Sequence, residues 1–398
     1  GAATRSKGTP VQCTRCHADV PSAAHYCQVC GLDTHADDGA RRASYAAKPN
    51  ESVVSLKLVS TIMPRGSALR PMTYQFALGL ALLATVIVGA TGALPIAVLI
   101  AAFAMPIVYI VYLYDVNMWE DEPLLVTGLA FLLTGVLGGF WTWLWLAWRG
   151  PLAIGAPFDD TAPLPSVTGF LLAAVLAPLV GEAIRQVGPL ILAARREFDD
   201  LMDGLTFGVI SGVAFATADT LVKHWPLITG GYAGSADAGT WISLLVLEGF
   251  VKPLVMGTAT GIACAEFSGL GEGYDGFTPR YFRALAEAVG ANVLYAGGTY
   301  LLGFLGNPVL ALVLSILWGL ATLAVLIIRI RTALHRGLME AALESTARAR
   351  GVGPGLEFCP ACEMPLLPGA EFCSNCGVSV RATAKVPHAK ATGEEAQA

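Results

Sequence analysis

The sequence predicts an all-α, multi-pass membrane bundle of about eight helices with a small cysteine-rich module at each end. Three observations carry that prediction. The 398 residues are 55% hydrophobic and only 14% charged, with a mean hydropathy of +0.60, whereas ordinary soluble domains carry about 25% charged residues. The apolar residues are concentrated in one nearly continuous zone, 72–331. Eight of the nine cysteines lie outside that zone, in two clusters at the ends.

A chain so poor in charge cannot cover a globular surface with ionic groups, so lipid is the natural solvent for its middle. A spanning helix needs about 20 apolar residues. With loop charges and Gly/Pro clusters as breaks, the candidates are 74–94, 95–114, 124–147, 166–193, 201–222, 241–268, 281–303 and 307–329. The first two share a short turn at Gly92–Pro95, so the alternative to two full spans is one hairpin that spans incompletely. Around this zone, residues 1–35 hold the first cysteine cluster and 36–71 form a polar connector. Residues 332–355 read as a short helix and linker broken by Gly351, Gly353, Pro354 and Gly355. Residues 356–380 hold the second cluster, and 381–398 read as a disordered tail.

Lys and Arg set the orientation, because basic loops stay in the cytoplasm. With eight spans, Lys57, Arg65, Arg70, Arg195, Arg196, Arg280, Arg283, Arg329, Arg331 and Arg336 fall on one side, and only Arg149 and Lys223 on the other. Both ends of the chain are therefore expected in the cytoplasm of a cell-membrane protein. Trp141, Trp143, Trp145 and Trp148 crowd the far end of the third helix, where amphipathic rings favour the interface. A net charge of −5 with scattered basic residues argues against a nucleic-acid partner.

Cys13, Cys16, Cys27 and Cys30 repeat the pattern of Cys359, Cys362, Cys373 and Cys376: C-x2-C, ten residues, C-x2-C. A two-residue gap lets a tight turn aim two thiolates at one ion, and two such knuckles supply the tetrahedral S4 shell that Zn2+ favours. Gly31 and Gly377 follow the last cysteines, where the chain turns beneath the metal, and Pro21 and Pro368 are expected in matching places between the knuckles. The stretches "HYCQVCG" and "EFCSNCG" resemble the second knuckle of small zinc ribbons common in bacterial and archaeal proteins. Two structural Zn2+ sites are expected, with four cysteines each. Disulfides do not suit a reducing cytoplasm, and His17 and His25 are spectators. Cys264, alone in an apolar stretch, reads as a packing residue.

Ionisable residues inside membrane helices are costly and mark function or a partnered pair. They are Glu182, Arg185, Asp203, Asp219, Glu248, Lys252, Glu266 and Glu287. Glu182 and Arg185 share a helix face, as do Glu248 and Lys252; Asp203, Glu266 and Glu287 lie near helix ends, within reach of water. "YDVNMWEDEPLLVTGLAFLLTG" resembles the acidic D-x-x-E-P-E-P entrance of the PrsW family of intramembrane proteases, to which the CAAX-type prenyl-processing enzymes are related. "APLVGEAIRQVGPLILAARREFDDLMDGLTFGVISGVAFATADT" resembles that family's core. The likeness covers about residues 105–300.

The resemblance implies a site of Glu-Glu-x-x-Lys, then D-G-x-x-x-G leading to Phe-x-x-x-Glu-Asn, then a His in each of two later helices. Here the first Glu corresponds to Gly181, the second is Glu182, and the Lys is Arg185. Phe215 is retained, the next Glu is Asp219, and the Asn is Thr220. "EGFVKPLVMGTATG" and "AEAVGANVLYAGG" contain no histidine, and His224 is the only one between residues 36 and 334. Glu182, Arg185 and Asp219 are therefore expected to face one another as a remnant of the family site.

Three functions follow from this. The first is an inactive relative, a pseudoenzyme, that serves as a membrane scaffold or adaptor with ribbons docking a membrane or cytoplasmic protein. The second is an active peptidase using Glu182 and Asp219, with Glu248 or Glu266 as a further acid. The third is a transporter or channel lined by the buried charges.

Overall fold

The structure is a computed structural model and describes residues 11–34 (except 23), 73–91, 93–116, 124–149, 165–193, 201–229, 238–268, 277–349, 358–359 and 364–378. Among these, apolar runs fold into helical rods at the positions expected. They are α1 (Thr73–Thr91), α2 (Leu94–Val116), α3 (Leu124–Arg149), α4 (Val167–Phe170, π-helical Leu171–Leu176, Ala177–Ala193), α5 (Leu201–Lys223), α6 (Ala238–Ile242, π-helical Ser243–Val251, Lys252–Ser268), α7 (Pro279–Leu302) and α8 (Pro308–Ala349). A short helix, Trp225–Thr229, follows α5.

The expectation of an all-α membrane bundle is met, while its count of about eight spans is not reached. By length and apolarity, five are fit to cross a membrane among the described residues: Leu125–Trp148, Val167–Leu192, Asp203–Lys223, Ser243–Glu266 and Pro308–Leu334. Rod α7 carries Arg280, Arg283, Glu287 and Asn292 and is less apolar for that reason. Rods α1 and α2 pack on each other. Rod α8 runs unbroken from Pro308 to Ala349, so the segment expected as a separate short helix from 332 continues the preceding one; no Gly or Pro between Arg331 and Ala349 other than Gly337 interrupts it.

Contacts divide the chain into two compact units, one holding both cysteine clusters and the other holding the rods as far as Leu334. At the centre of the second unit lie α5 and α6. Most of the apolar stretch of Asp203–Lys223 and of Ser243–Glu266 is buried, against a minority in Leu125–Trp148 and Val167–Leu192. Glycine makes this central pairing possible. A Cβ on Gly212 would lie 2.5 Å from Cα of Gly257, and one on Gly208 would lie 2.8 Å from Cα of Gly261. Both helices thus present glycines four apart at their crossing, and the backbones approach closely enough to exclude any side chain there. Phe76, Leu80, Phe140, Trp143, Val167 and Leu317 point outward, as a lipid solvent requires.

The cysteine unit is built from two small ribbons. In the first, β1 (Val11–Gln12) pairs antiparallel with β2 (Asp19–Val20), and Tyr26 bridges Asp33. In the second, Phe358 bridges Pro365 at the position equivalent to Gln12–Asp19. A turn links the knuckles in each, closed by Ala24 N–H to Pro21 O (3.0 Å) and Ala370 N–H to Leu367 O (3.0 Å). Pro21 therefore matches Leu367, and Pro368 stands one position later, ahead of Gly369 at φ +68°. Proline followed by a positive-φ glycine is the chemistry of a type II turn. Expectations for 36–71, 350–357, 379–398 and Cys362 lie outside the described residues.

Candidate functional site

Glu182, Arg185 and Gln186 stand at i, i+3 and i+4 on α4, so one face of the helix carries all three. The face turns inward: Glu182 is 0% and Arg185 1% exposed. Arg185 Nη2 donates to Glu182 Oε2 at 2.6 Å and Nε to the same oxygen at 3.2 Å. Thr260 Oγ1 (3.2 Å) and Asn292 Nδ2 (3.1 Å) donate to Oε2 as well. Gln186 Nε2 donates to Oε1 at 2.7 Å. Both carboxylate oxygens are thereby engaged by protein donors.

A wider polar layer holds these groups. Cys264 Sγ and Tyr281 Oη each donate to Gln186 Oε1 at 3.3 Å. Ser211 Oγ donates to the Arg185 carbonyl (2.5 Å) and meets Thr134 Oγ1 at 2.9 Å. The guanidinium lies 5.0 Å from the centre of the Phe215 ring, a cation–π contact. Five rods, α3 to α7, contribute to this layer. Gln186, Thr260, Asn292 and Tyr281 did not emerge from the sequence; only Gln186, one turn from Glu182, carried a local signal. Cys264 is a partner in the layer, beyond the packing role expected of it.

Asp219 has other partners. It accepts from Thr142 Oγ1 (2.8 Å), Lys252 Nζ (2.8 Å) and Lys223 Nζ (2.8 Å). Lys252 also pairs with Glu248, as their spacing on α6 predicted, and Thr220 Oγ1 donates to Glu248 at 3.1 Å. Asp219 stands one helical turn, about 6 Å, beyond Phe215 along α5. Of the expected trio, the structure pairs Glu182 with Arg185 directly and gives Asp219 a separate ion-pair cluster. Glu266 and Asp203, expected within reach of water, are buried. Arg329 approaches Glu266 at 3.8 Å and Glu287 at 2.7 Å, closing that end of the bundle electrostatically.

A metal ion does not suit the membrane layer. Its donors around Glu182 are a guanidinium, two amides and a hydroxyl, with no imidazole, and the cation answering the carboxylate is Arg185 itself. Position 181, where the resemblance implies a second carboxylate, is also closed. A Cβ built on Gly181 would lie 3.3 Å from both Arg185 Nη1 and Phe215 Cζ.

The cysteine clusters do suit one. Sγ atoms of Cys13, Cys16, Cys27 and Cys30 lie within 4.8 Å of one another, as do those of Cys359, Cys373 and Cys376. Cys13–Cys30 is 3.6 Å, Cys16–Cys27 3.5 Å and Cys359–Cys376 3.7 Å. Tetrahedral Zn–S bonds of about 2.3 Å place sulfurs about 3.8 Å apart, and a disulfide would need about 2.05 Å. Each knuckle is locked by the same backbone bonds, Gly31 N–H to Cys27 O (2.9 Å) and Gly377 N–H to Cys373 O (3.0 Å), with both glycines at positive φ.

The thiols cannot all ionise unaided. Burial pushes Cys27 up and Cys30 to about 12. Burial raises Cys13 too, but hydrogen bonds from the backbone N–H groups of Cys16 and Arg15 and from the Cys30 and Cys16 thiols together bring it to about 7. A bound cation supplies the charge that stabilises four thiolates together. Cys16, half-buried, with Cys13, Cys27 and Cys30 offers four sulfurs, the number that would fill a tetrahedral shell.

Residues 122–289 match the family described as PrsW family intramembrane metalloprotease. No curated protein and no solved structure matches the chain. The match opens just before α3 and closes within α7, so it takes in every rod of the Glu182 layer except the last turns of α7. The chain is thus a membrane protein whose residues 122–289 are similar to the PrsW family and which carries a cysteine ribbon near each end.

Proposed function

We propose that this chain is an inactive relative of the PrsW peptidases, a multi-pass membrane scaffold whose former catalytic layer now holds the bundle together. The observation that carries the proposal is the state of Glu182: no exposure, and donors on both oxygens. Amide hydrolysis needs a base with a lone pair free for water and a group to hold the oxyanion. Glu182 is shut away from water and has no imidazole among its partners, and Asp219 is committed to two ammonium groups. Its mechanism is binding: the helical domain receives a partner's transmembrane segment, and the zinc-stabilised ribbons recruit a soluble or membrane subunit. The excess of basic residues flanking one set of helix ends supports placing the ribbons in the cytoplasm.

Family membership favours the opposing reading, an active peptidase using Glu182 and Asp219. Purified protein in liposomes, mixed with transmembrane peptides bearing fluorescent ends, separates the two. The proposal expects no cleavage above that of Glu182→Gln. Cleavage by the unsubstituted protein that Glu182→Gln abolishes would establish the peptidase instead.

A further inference from the structure

We infer that the two ribbons, although they come from opposite ends of the chain, are each other's docking partner, and that metal in both holds the ends together. The inference rests on the metal reading of the cysteine clusters.

The contacts between them repeat about a pseudo-two-fold axis. From one side, the backbone N–H groups of His25 and Tyr26 both donate to the carbonyl of Ser374, at 2.9 and 3.0 Å. From the other, those of Glu371 and Phe372 both donate to the carbonyl of Gln28, at 2.9 and 3.1 Å. His25 is equivalent to Glu371, Tyr26 to Phe372, and Gln28 to Ser374, so each ribbon offers the other the same two donors and one acceptor. That is the logic of an isologous interface, here within a single chain.

The side chains follow the same symmetry. The Phe372 ring covers Gly31, where an added Cβ would fall 2.7 Å from Cδ1; the Tyr26 ring covers Gly377, where one would fall 2.8 Å from Cδ1. Each glycine is therefore required twice, for its positive φ beneath the cysteines and for the aromatic ring of the opposite ribbon. Both accepting carbonyls, of Gln28 and Ser374, belong to the residues directly after Cys27 and Cys373, inside the second knuckle of each site. Without its metal a knuckle loses the turn that aims this carbonyl and the glycine bed for the ring. A piece below about 40 residues rarely folds without a metal or an association, and each ribbon has both. The face used in pairing is consequently closed to other partners, and any external subunit meets the ribbon pair on its outer sides.

The test uses the full-length protein in detergent, with a protease recognition sequence inserted in the 36–71 connector and an affinity tag at the C-terminus. After cleavage no covalent bond joins the first ribbon to the rest. In zinc-containing buffer the ribbon is expected to remain on the tagged remainder, and a zinc chelator is expected to release it. Phe372→Ala leaves every cysteine in place; it is expected to release the ribbon without chelator, with zinc still bound to the freed fragment. Release from the unsubstituted protein as a zinc-loaded fragment would overturn the pairing and leave the metal reading standing. Release as a zinc-free fragment would overturn both. Retention that survives chelation, or recovery of the fragment on a co-expressed, differently tagged copy, would overturn metal-dependent pairing within one chain.

Discussion

A carboxylate shut away from water among apolar helices needs its charge answered, and Glu182 is answered by Arg185 one turn along the same helix. The pair was legible in the sequence because i and i+3 share a face. The rest of its shell was not: Thr260 and Asn292 come from 78 and 110 residues away, and nothing local to either says that it turns toward Glu182. Removing one member of a buried pair leaves an uncompensated charge, whereas removing both can be close to neutral. Arg185→Leu is therefore expected to destabilise the domain by about 3–5 kcal/mol, while Glu182→Leu/Arg185→Leu recovers most of that loss. Thermal unfolding of the purified variants in one detergent checks both. Equal destabilisation by the single and double changes would mean that the pair does not act as a unit.

Among the elements, apolar runs and charge breaks were enough to place the rods, since a membrane helix satisfies its own backbone and needs only length and apolarity. The π-helical turns at Leu171–Leu176 and Ser243–Val251 left no such trace. The second of them carries Glu248 into the Asp219 cluster, at a place where π turns often serve function. Nor did the sequence show which small residues face each other. Gly208, Gly212, Gly257 and Gly261 are spaced for close packing, but only the fold sets one pair against the other. Gly212→Leu is expected to force α5 and α6 apart at a cost of at least about 1–3 kcal/mol. Gly290→Leu, where nothing lies within 4 Å of the added Cβ, is expected to be close to neutral. Thermal melts comparing these two variants with the parent report the difference; equal effects would deny the crossing its role.

For the whole molecule, the cysteine spacing announced the two ribbons, because C-x2-C is itself a geometric statement. Their mutual pairing depends on backbone carbonyls and on which ring covers which glycine, and such contacts have no sequence signature. Acid is expected to empty the sites. Thiols must be deprotonated to bind a metal ion, so protons compete increasingly as pH falls. Zinc released in a titration downward from neutral pH, followed with a chromogenic chelator, measures this, and release on raising the pH instead would contradict it.

Metal is expected in the ribbons, and the layer around Glu182 is closed by its own ion pair with Arg185. Counting metal in the purified full-length protein, before and after the cysteines are replaced by serine, tests this most directly. Two zinc ions per chain are expected, both lost with the cysteines. A further tightly held metal that survives the replacement and disappears with Glu182→Gln would contradict it.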